Sequence, residues 1–170
     1  MLIRTGLLTV GLLDEEAIAI ITDVLRKRLP GVQVLQTQAV GSQRHWVADT
    51  LIRWCDEEEM DLIVTLGGTL PAPGPSSAEI TPEATGDVVE RPLPAFSESM
   101  RNHAAQETRL ALLDRSVAGI RGRTIILNLP AGTATPVLFL NGVIDLLPAL
   151  LAHLGDHETA PVAEDALVIV

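Results

Sequence analysis

The chain has 170 residues, 47% of them hydrophobic and 20% charged, which suits one domain with a substantial core and excludes a disordered polypeptide. Only 2% are aromatic, so that core is aliphatic. The formal net charge of −10 argues against a nucleic-acid partner, because a phosphate backbone meets repulsion over most of the surface. The lone cysteine, Cys55, leaves no intrachain disulfide and no cysteine-built zinc site.

In chain order, residues 3–10 read as a first strand closed by Gly11. Asp14, Glu15 and Glu16 then stand where a helix start favours acids, and Arg26, Lys27 and Arg28 where its end favours bases, with Ile18, Ile21, Leu25 and Leu29 as the apolar stripe between them. Pro30-Gly31 stops that helix. Residues 32–39 alternate apolar and polar, which predicts a second strand with one wetter face or at a sheet edge. Ser42 is the expected N-cap of a helix running to about Glu59, anchored by Trp46, Leu51 and Trp54, with Cys55 a buried structural thiol and Asp56 to Glu59 a solvated face.

The stretch from Asp61 to Thr85 carries the strongest local signals. Leu62, Ile63, Val64 and Leu66 form a short apolar run of the kind found in a strand buried on both faces, although such a run does not by itself exclude a buried helix. Gly67-Gly68-Thr69 ends it in a sharp turn. A loop stiffened by Pro71, Pro73 and Pro75 follows, long enough to form the rim of a pocket. Thr81-Pro82-Glu83 then reads as cap, first-turn proline and first-turn acid. An isolated Gly-Gly-Thr after a strand is equally compatible with a plain tight turn.

Further helices are expected over 82–90 and 94–113, and a hairpin or two short strands over 117–120 and 124–129. Pro130-Ala131-Gly132 makes a second turn at a strand's end, and Thr135-Pro136 opens a helix carried by Leu138, Leu140, Val143, Leu147 and Leu151 to His153. The four histidines show no metal-ligand spacing. The expected organisation is a domain over 1–154 and an acidic C-terminal tail over 155–170. With no signal peptide or membrane span in view, the expectation is a cytoplasmic protein with no membrane partner. The alternation of strands and helices predicts an α/β three-layer sandwich, with a mainly parallel sheet and helices on both faces. If the strands before Gly67 and Pro130 are neighbours, both turns line one crevice.

Five pieces in series now resemble the MogA/MoaB-like molybdopterin-binding family of molybdenum cofactor biosynthesis, whose enzymes are molybdopterin adenylyltransferases. They are Gly67-Gly68-Thr69, Thr81-Pro82-Glu83-Ala84, Pro94-Ala95-Phe96-Ser97-Glu98 with Met100-Arg101, Leu112-Leu113-Asp114-Arg115, and Ile126-Leu127-Asn128-Leu129-Pro130. The resemblance implies a molybdopterin ligand whose terminal phosphate attacks the α-phosphate of ATP carrying Mg2+, and a homotrimer or dimer of trimers. It assigns Gly67, Gly68, Thr69, Asn128, Pro130, Gly132, Thr133 and Ser42 to the ligand cradle and Glu79 to the metal and the chemistry; Arg101 and Arg115 stand as candidates to offset ligand charge, or as ordinary surface ion pairs. The chain departs from the family's pattern at Val10-Gly11-Leu12-Leu13, which replaces a Ser-Asp loop, at Leu70, which replaces a glycine, and at Ser42 and Glu79, which stand where the family has aspartates. These departures keep two alternatives open: a noncatalytic molybdopterin carrier or scaffold, and a phosphate-ester enzyme related to the competence-damage proteins.

Overall fold

The structure is a computed structural model and describes residues 1–72 and 79–155. Its strands are β1 (Ile3–Val10), β2 (Val32–Val40), β3 (Leu62–Leu66), β4 (Arg91–Pro92), β5 (Ala118–Arg121) and β6 (Thr124–Leu129), joined in one sheet of order β2-β1-β3-β6-β5-β4. The helices are α1 (Glu15–Arg28), α2 (Arg44–Asp56), α3 (Thr81–Val88), α4 (Pro94–Ala105), α5 (Thr135–Asn141) and α6 (Leu147–Leu154), with a 3-10 segment at Arg109–Leu113. The first four strands in spatial order run parallel, β5 runs antiparallel to β6, and β4 at the edge runs antiparallel to β5.

The two-residue period of the strands explains the layering. Leu62, Val64 and Leu66 of β3 pack with Ile125, Leu127 and Leu129 of β6 into one core cluster, which also takes Ile21 and Leu25 of α1, Met100 of α4 and Phe139 of α5. Ile63 and Ile126 point the other way, into a second cluster with Leu51 and Trp54 of α2 and Val88 of α3. Every residue of β3 and β6 is buried, as expected of strands covered on both faces. Each such aliphatic side chain contributes roughly 1.5–3 kcal/mol of burial free energy. Gly6 lets Trp54 reach this second core, since a Cβ there would stand 2.6 Å from the indole. The alternating burial of β2 fits its place at the opposite sheet edge. At the start of α1 the Asp14 carboxylate accepts the Ala17 amide at 3.0 Å.

Several sequence expectations are corrected. Gln43, not Ser42, holds the cap position of α2, and its side chain makes no capping hydrogen bond among the described residues. Trp46 is not an internal anchor: it is 47% exposed on the first turn of α2, while Leu51 and Trp54 are fully buried. Thr81 lies inside α3, and its hydroxyl donates to the Gly67 carbonyl at 2.9 Å, so it ties the helix to the glycine turn. The helix expected over 94–113 ends at Ala105, with the 3-10 segment beyond it. The helix expected from Thr135 to His153 is two helices. The chain turns at Gly142, where the α4 backbone comes so close that a Cβ would stand 2.7 Å from the Ser99 carbonyl oxygen. The expected rim at Pro73 and Pro75, and the tail expected beyond residue 155, lie outside the described residues.

Candidate functional site

The sheet reverses its winding between β1 and β3, since β2 lies on one side of β1 and β3 and β6 on the other. In open α/β sheets a ligand crevice forms outside the carboxyl ends of the strands at such a point. Here β3 and β6 are hydrogen-bonded neighbours with Leu66 opposite Leu129, so their terminal turns leave the sheet side by side. The Gly67 amide donates to the Leu129 carbonyl at 3.0 Å, and a Cβ on Gly67 would stand 3.2 Å from the Val10 carbonyl oxygen and 3.8 Å from the Ala131 side chain. Gly67, Gly68 and Gly132 have φ of 97°, 71° and 107°, the left-handed region where glycine carries no steric penalty. Thus the ends of β1, β3 and β6 meet at one edge. Leu70, Pro130, Ala131 and Phe139 line a cavity of about 190 Å³ there.

The residues assigned to the cradle take distinct places around this edge. The Gly67 amide is committed to Leu129; among the described residues the amides of Gly68, Gly132 and Thr133 carry no main-chain bond. Gly132 and Thr133 are exposed, whereas Pro130 is buried. The Thr69 hydroxyl, expected to face a ligand, donates instead to the buried Asp114 carboxylate at 2.5 Å, and Asp114 also accepts the Ser116 amide at 2.7 Å. Asn128 is likewise engaged within the protein. Its side chain is fully buried, donates to the hydroxyls of Thr65 and Thr85 at 2.9 Å each, and accepts the Val117 amide at 3.2 Å. It ties β3, α3 and the segment leading into β5 to the base of the second turn. Ser42 is at the edge, with its hydroxyl 3.7 Å from where a Cβ on Gly11 would stand.

Glu79 is not a free carboxylate. One oxygen accepts the Ala72 amide, the other accepts from the Arg115 guanidinium at 3.0 Å, and Arg115 also pairs with Glu83. Arg115 is thereby neutralised by two acids of this chain, the ion-pair reading left open for it. Arg101 donates to the Ser116 carbonyl at 2.7 Å. Sequence reasoning missed Ser116. Its hydroxyl is buried with no hydrogen-bond partner among the described residues, and the residue lines a cleft of about 480 Å³, of mixed polar and apolar lining, together with Ser97, Glu98, Arg101 and Asp114. That cleft adjoins the glycine turn, because the Arg115 amide donates to the Thr69 carbonyl at 2.9 Å. The serine following Asp114-Arg115 was present in the sequence, but only the missing partner marks it.

At the opposite, amino end of the sheet, Asp61 is structural: its carboxylate accepts the Arg4 amide at 2.7 Å. Cys55 borders a second cleft there, and burial pushes its thiol up to about 11. Asp56 and Asp87 lie below the usual carboxylate range because the guanidinium groups of Arg121 and Arg44 hydrogen-bond to them.

An open α/β sheet with two glycine turns converging at its carboxyl edge, beside a cleft, is the architecture of α/β proteins whose ligands bind outside the strand ends. Residues 7–158 match the family described as "Probable molybdopterin binding domain". The chain is 35% identical to a molybdopterin adenylyltransferase of Helicobacter pylori over 81% of this chain and 76% of that one, and 30% identical to that of Escherichia coli K12 over 89% and 78%. The crystal structure of the molybdopterin biosynthesis enzyme MoaB from Thermus thermophilus superposes with a TM-score of 0.78 at 34% identity, covering 90% of this chain and 96% of that one. The chain belongs to the molybdopterin-binding domain family.

Proposed function

We propose that this protein acts in molybdenum cofactor biosynthesis by binding molybdopterin at the carboxyl edge of its sheet. The carrying observation is the adjacency of β3 and β6, which brings the Gly67 and Pro130 turns together. In this reading the ligand's phosphate rests on the amides of Gly68, Gly132 and Thr133, as anions do on turn amides. The pterin, dense in donors and acceptors, lies in the cleft of Ser97, Glu98, Arg101 and Ser116. The Ser116 hydroxyl, without a partner among the described residues, supports this placement, because a buried polar group left unpaired costs about 1–3 kcal/mol until a ligand pairs it. Asn128, Thr69 and Asp114 hold the cradle's shape from beneath it.

The names of the relatives support adenylylation as the activity. A terminal phosphate oxygen of molybdopterin attacks the α-phosphorus of ATP, the bond to the β-phosphate oxygen breaks, and pyrophosphate leaves. Such transfer relies on placement and charge stabilisation more than on covalent chemistry by the protein. A magnesium ion held by the protein does not fit the described residues: Ser42 brings no carboxylate, Glu79 is held by Arg115 and Ala72, and among the described residues no three metal-ligating side chains gather. Magnesium in this reading enters as the counter-ion of the nucleotide. The same pairing of Glu79 favours the second reading, a carrier that binds molybdopterin without turnover. The exposed Leu110, Leu112 and Leu113 of the 3-10 segment, near Leu70, supply an apolar surface for the proposed homotrimer or dimer of trimers.

Titration with molybdopterin, followed by a pyrophosphate-release assay with Mg-ATP, tests the proposal. Saturable molybdopterin binding with release is the expected result; binding without release leaves the carrier, and no binding overturns both readings.

A further inference from the structure

The β1–β2 side of the crevice is built differently from the β5 side. The cleft of Ser97, Arg101 and Ser116 lies beside β5, whereas Gly11, Ser42 and Gly41 continue the edge toward β2, where the Asp14 carboxylate is committed to capping α1 and that of Asp87 to Arg44. Two exposed apolar side chains also stand there. Leu12 is 92% exposed, and Trp46 presents its indole on the first turn of α2. The six-membered ring of Trp46 packs onto the Gly41 backbone, 2.8 Å from where a Cβ would stand, and the His45 ring meets it edge-on at 5.6 Å and 61°. Backbone contact on one side and half exposure overall leave the indole as a supported aromatic surface open to solvent.

This surface is continuous with the phosphate cradle. Trp46 lies on Gly41, Ser42 adjoins Gly11, and Gly67 approaches Val10. These contacts set the indole along the same edge as the central turns, on the side away from the cleft of Ser97 and Ser116. We infer that Trp46 is a stacking platform for the purine base of the nucleotide co-substrate, and so a specificity-determining residue on the β2 side of the site. The inference rests on the reading given under Proposed function. The two heterocycles sort by chemistry. The pterin requires the donors and acceptors of the Ser97–Arg101–Ser116 side, while a purine needs only a flat face, since base–aromatic stacking is tolerant of hydrogen-bond pattern. Gly41 is the positioning residue, because any side chain there displaces the indole.

The test uses the full chain and its intrinsic fluorescence. Of the two tryptophans Trp54 is fully buried, so an emission change on ligand binding reports Trp46, and Trp46→Phe supplies the background. Mg-ATP is expected to quench the emission, while inorganic tripolyphosphate with magnesium competes with ATP and leaves the emission unchanged. Trp46→Ala should raise the Kd for ATP about tenfold and leave that for tripolyphosphate within twofold, with Trp46→Phe restoring ATP affinity. Gly41→Ala should weaken ATP in the same selective way. If wild-type protein binds ATP but Trp46→Ala changes its Kd less than twofold, the platform is refuted and the proposed function stands. If neither ATP nor tripolyphosphate binds, the nucleotide-dependent reading and the platform both fail.

Discussion

Asn128 offers the sharpest separation between a residue that touches the ligand and one that shapes the cradle. Replacing it with alanine removes three hydrogen bonds inside the protein, to Val117, Thr65 and Thr85. The threonine hydroxyls lose an interaction of about 1 kcal/mol each, and the Val117 amide, left without a partner, costs about 1–3 kcal/mol. The sum, roughly 3–5 kcal/mol, is a large share of the total of about 5–15 kcal/mol that a domain has. At about 2–4 °C per kcal/mol for a chain of this size, Asn128→Ala should lower Tm by roughly 10 °C. Thermal unfolding followed by circular dichroism measures this, and molybdopterin titration well below the transition measures binding, which should weaken no more than about threefold, less than about 1 kcal/mol, because the side chain does not touch the ligand. A Tm within about 2 °C of wild type, combined with an affinity loss above about tenfold, would show that the side chain contacts the ligand and would refute the reasoning.

Four other outcomes follow from the same geometry. With its thiol raised to about 11, Cys55 should resist a disulfide reagent at pH 8, where only about one molecule in a thousand is thiolate, and react promptly once the chain is unfolded in guanidinium; fast native reaction contradicts the burial. Gly142→Ala should destabilise by about 1–3 kcal/mol in urea, because the added methyl meets the backbone at Ser99 and Met100, and an unchanged midpoint would show that α4 moves aside freely. Ser42→Asp should strengthen magnesium-dependent ATP binding, read by titration with and without the metal; no change counts against Ser42 as the position of a lost acid. For Asp56, whose folded value is lowered by Arg121, the stabilising contribution is present above the unfolded value near 4 and is lost as pH falls through the lowered folded one. Asp56→Asn should therefore be slightly less stable than wild type at pH 7, with the difference small for so exposed a pair and shrinking as the pH is lowered below about 4, as urea midpoints across that range will show.

The fold was largely legible because its signals are local. The buried runs of β3 and β6, the charge polarity of α1 and the alternation of β2 each follow from a few consecutive residues. The joining of the Gly67 and Pro130 turns at one edge was legible only as a condition on strand order, which the structure meets. What escaped the sequence depends on distant partners. Asn128 is committed to Thr65 and Thr85, which lie 63 and 43 residues away, so its side chain was unreadable without the register of β3 against β6. The apolar stripe after Thr135 runs unbroken, yet the helix turns at Gly142 because α4 packs against it there. Trp46 reads as an anchor because it shares helical spacing with Trp54, although only Trp54 finds room, over Gly6.

The most direct test of the central claim is amide chemical-shift mapping of the full chain on addition of molybdopterin. If the phosphate rests between the two turns, the largest shifts fall on Gly68, Gly132 and Thr133, with Ser116 following. Shifts concentrated around Arg4, Cys55 and Thr124 at the far end of the sheet would place the ligand in the other cleft and contradict the account.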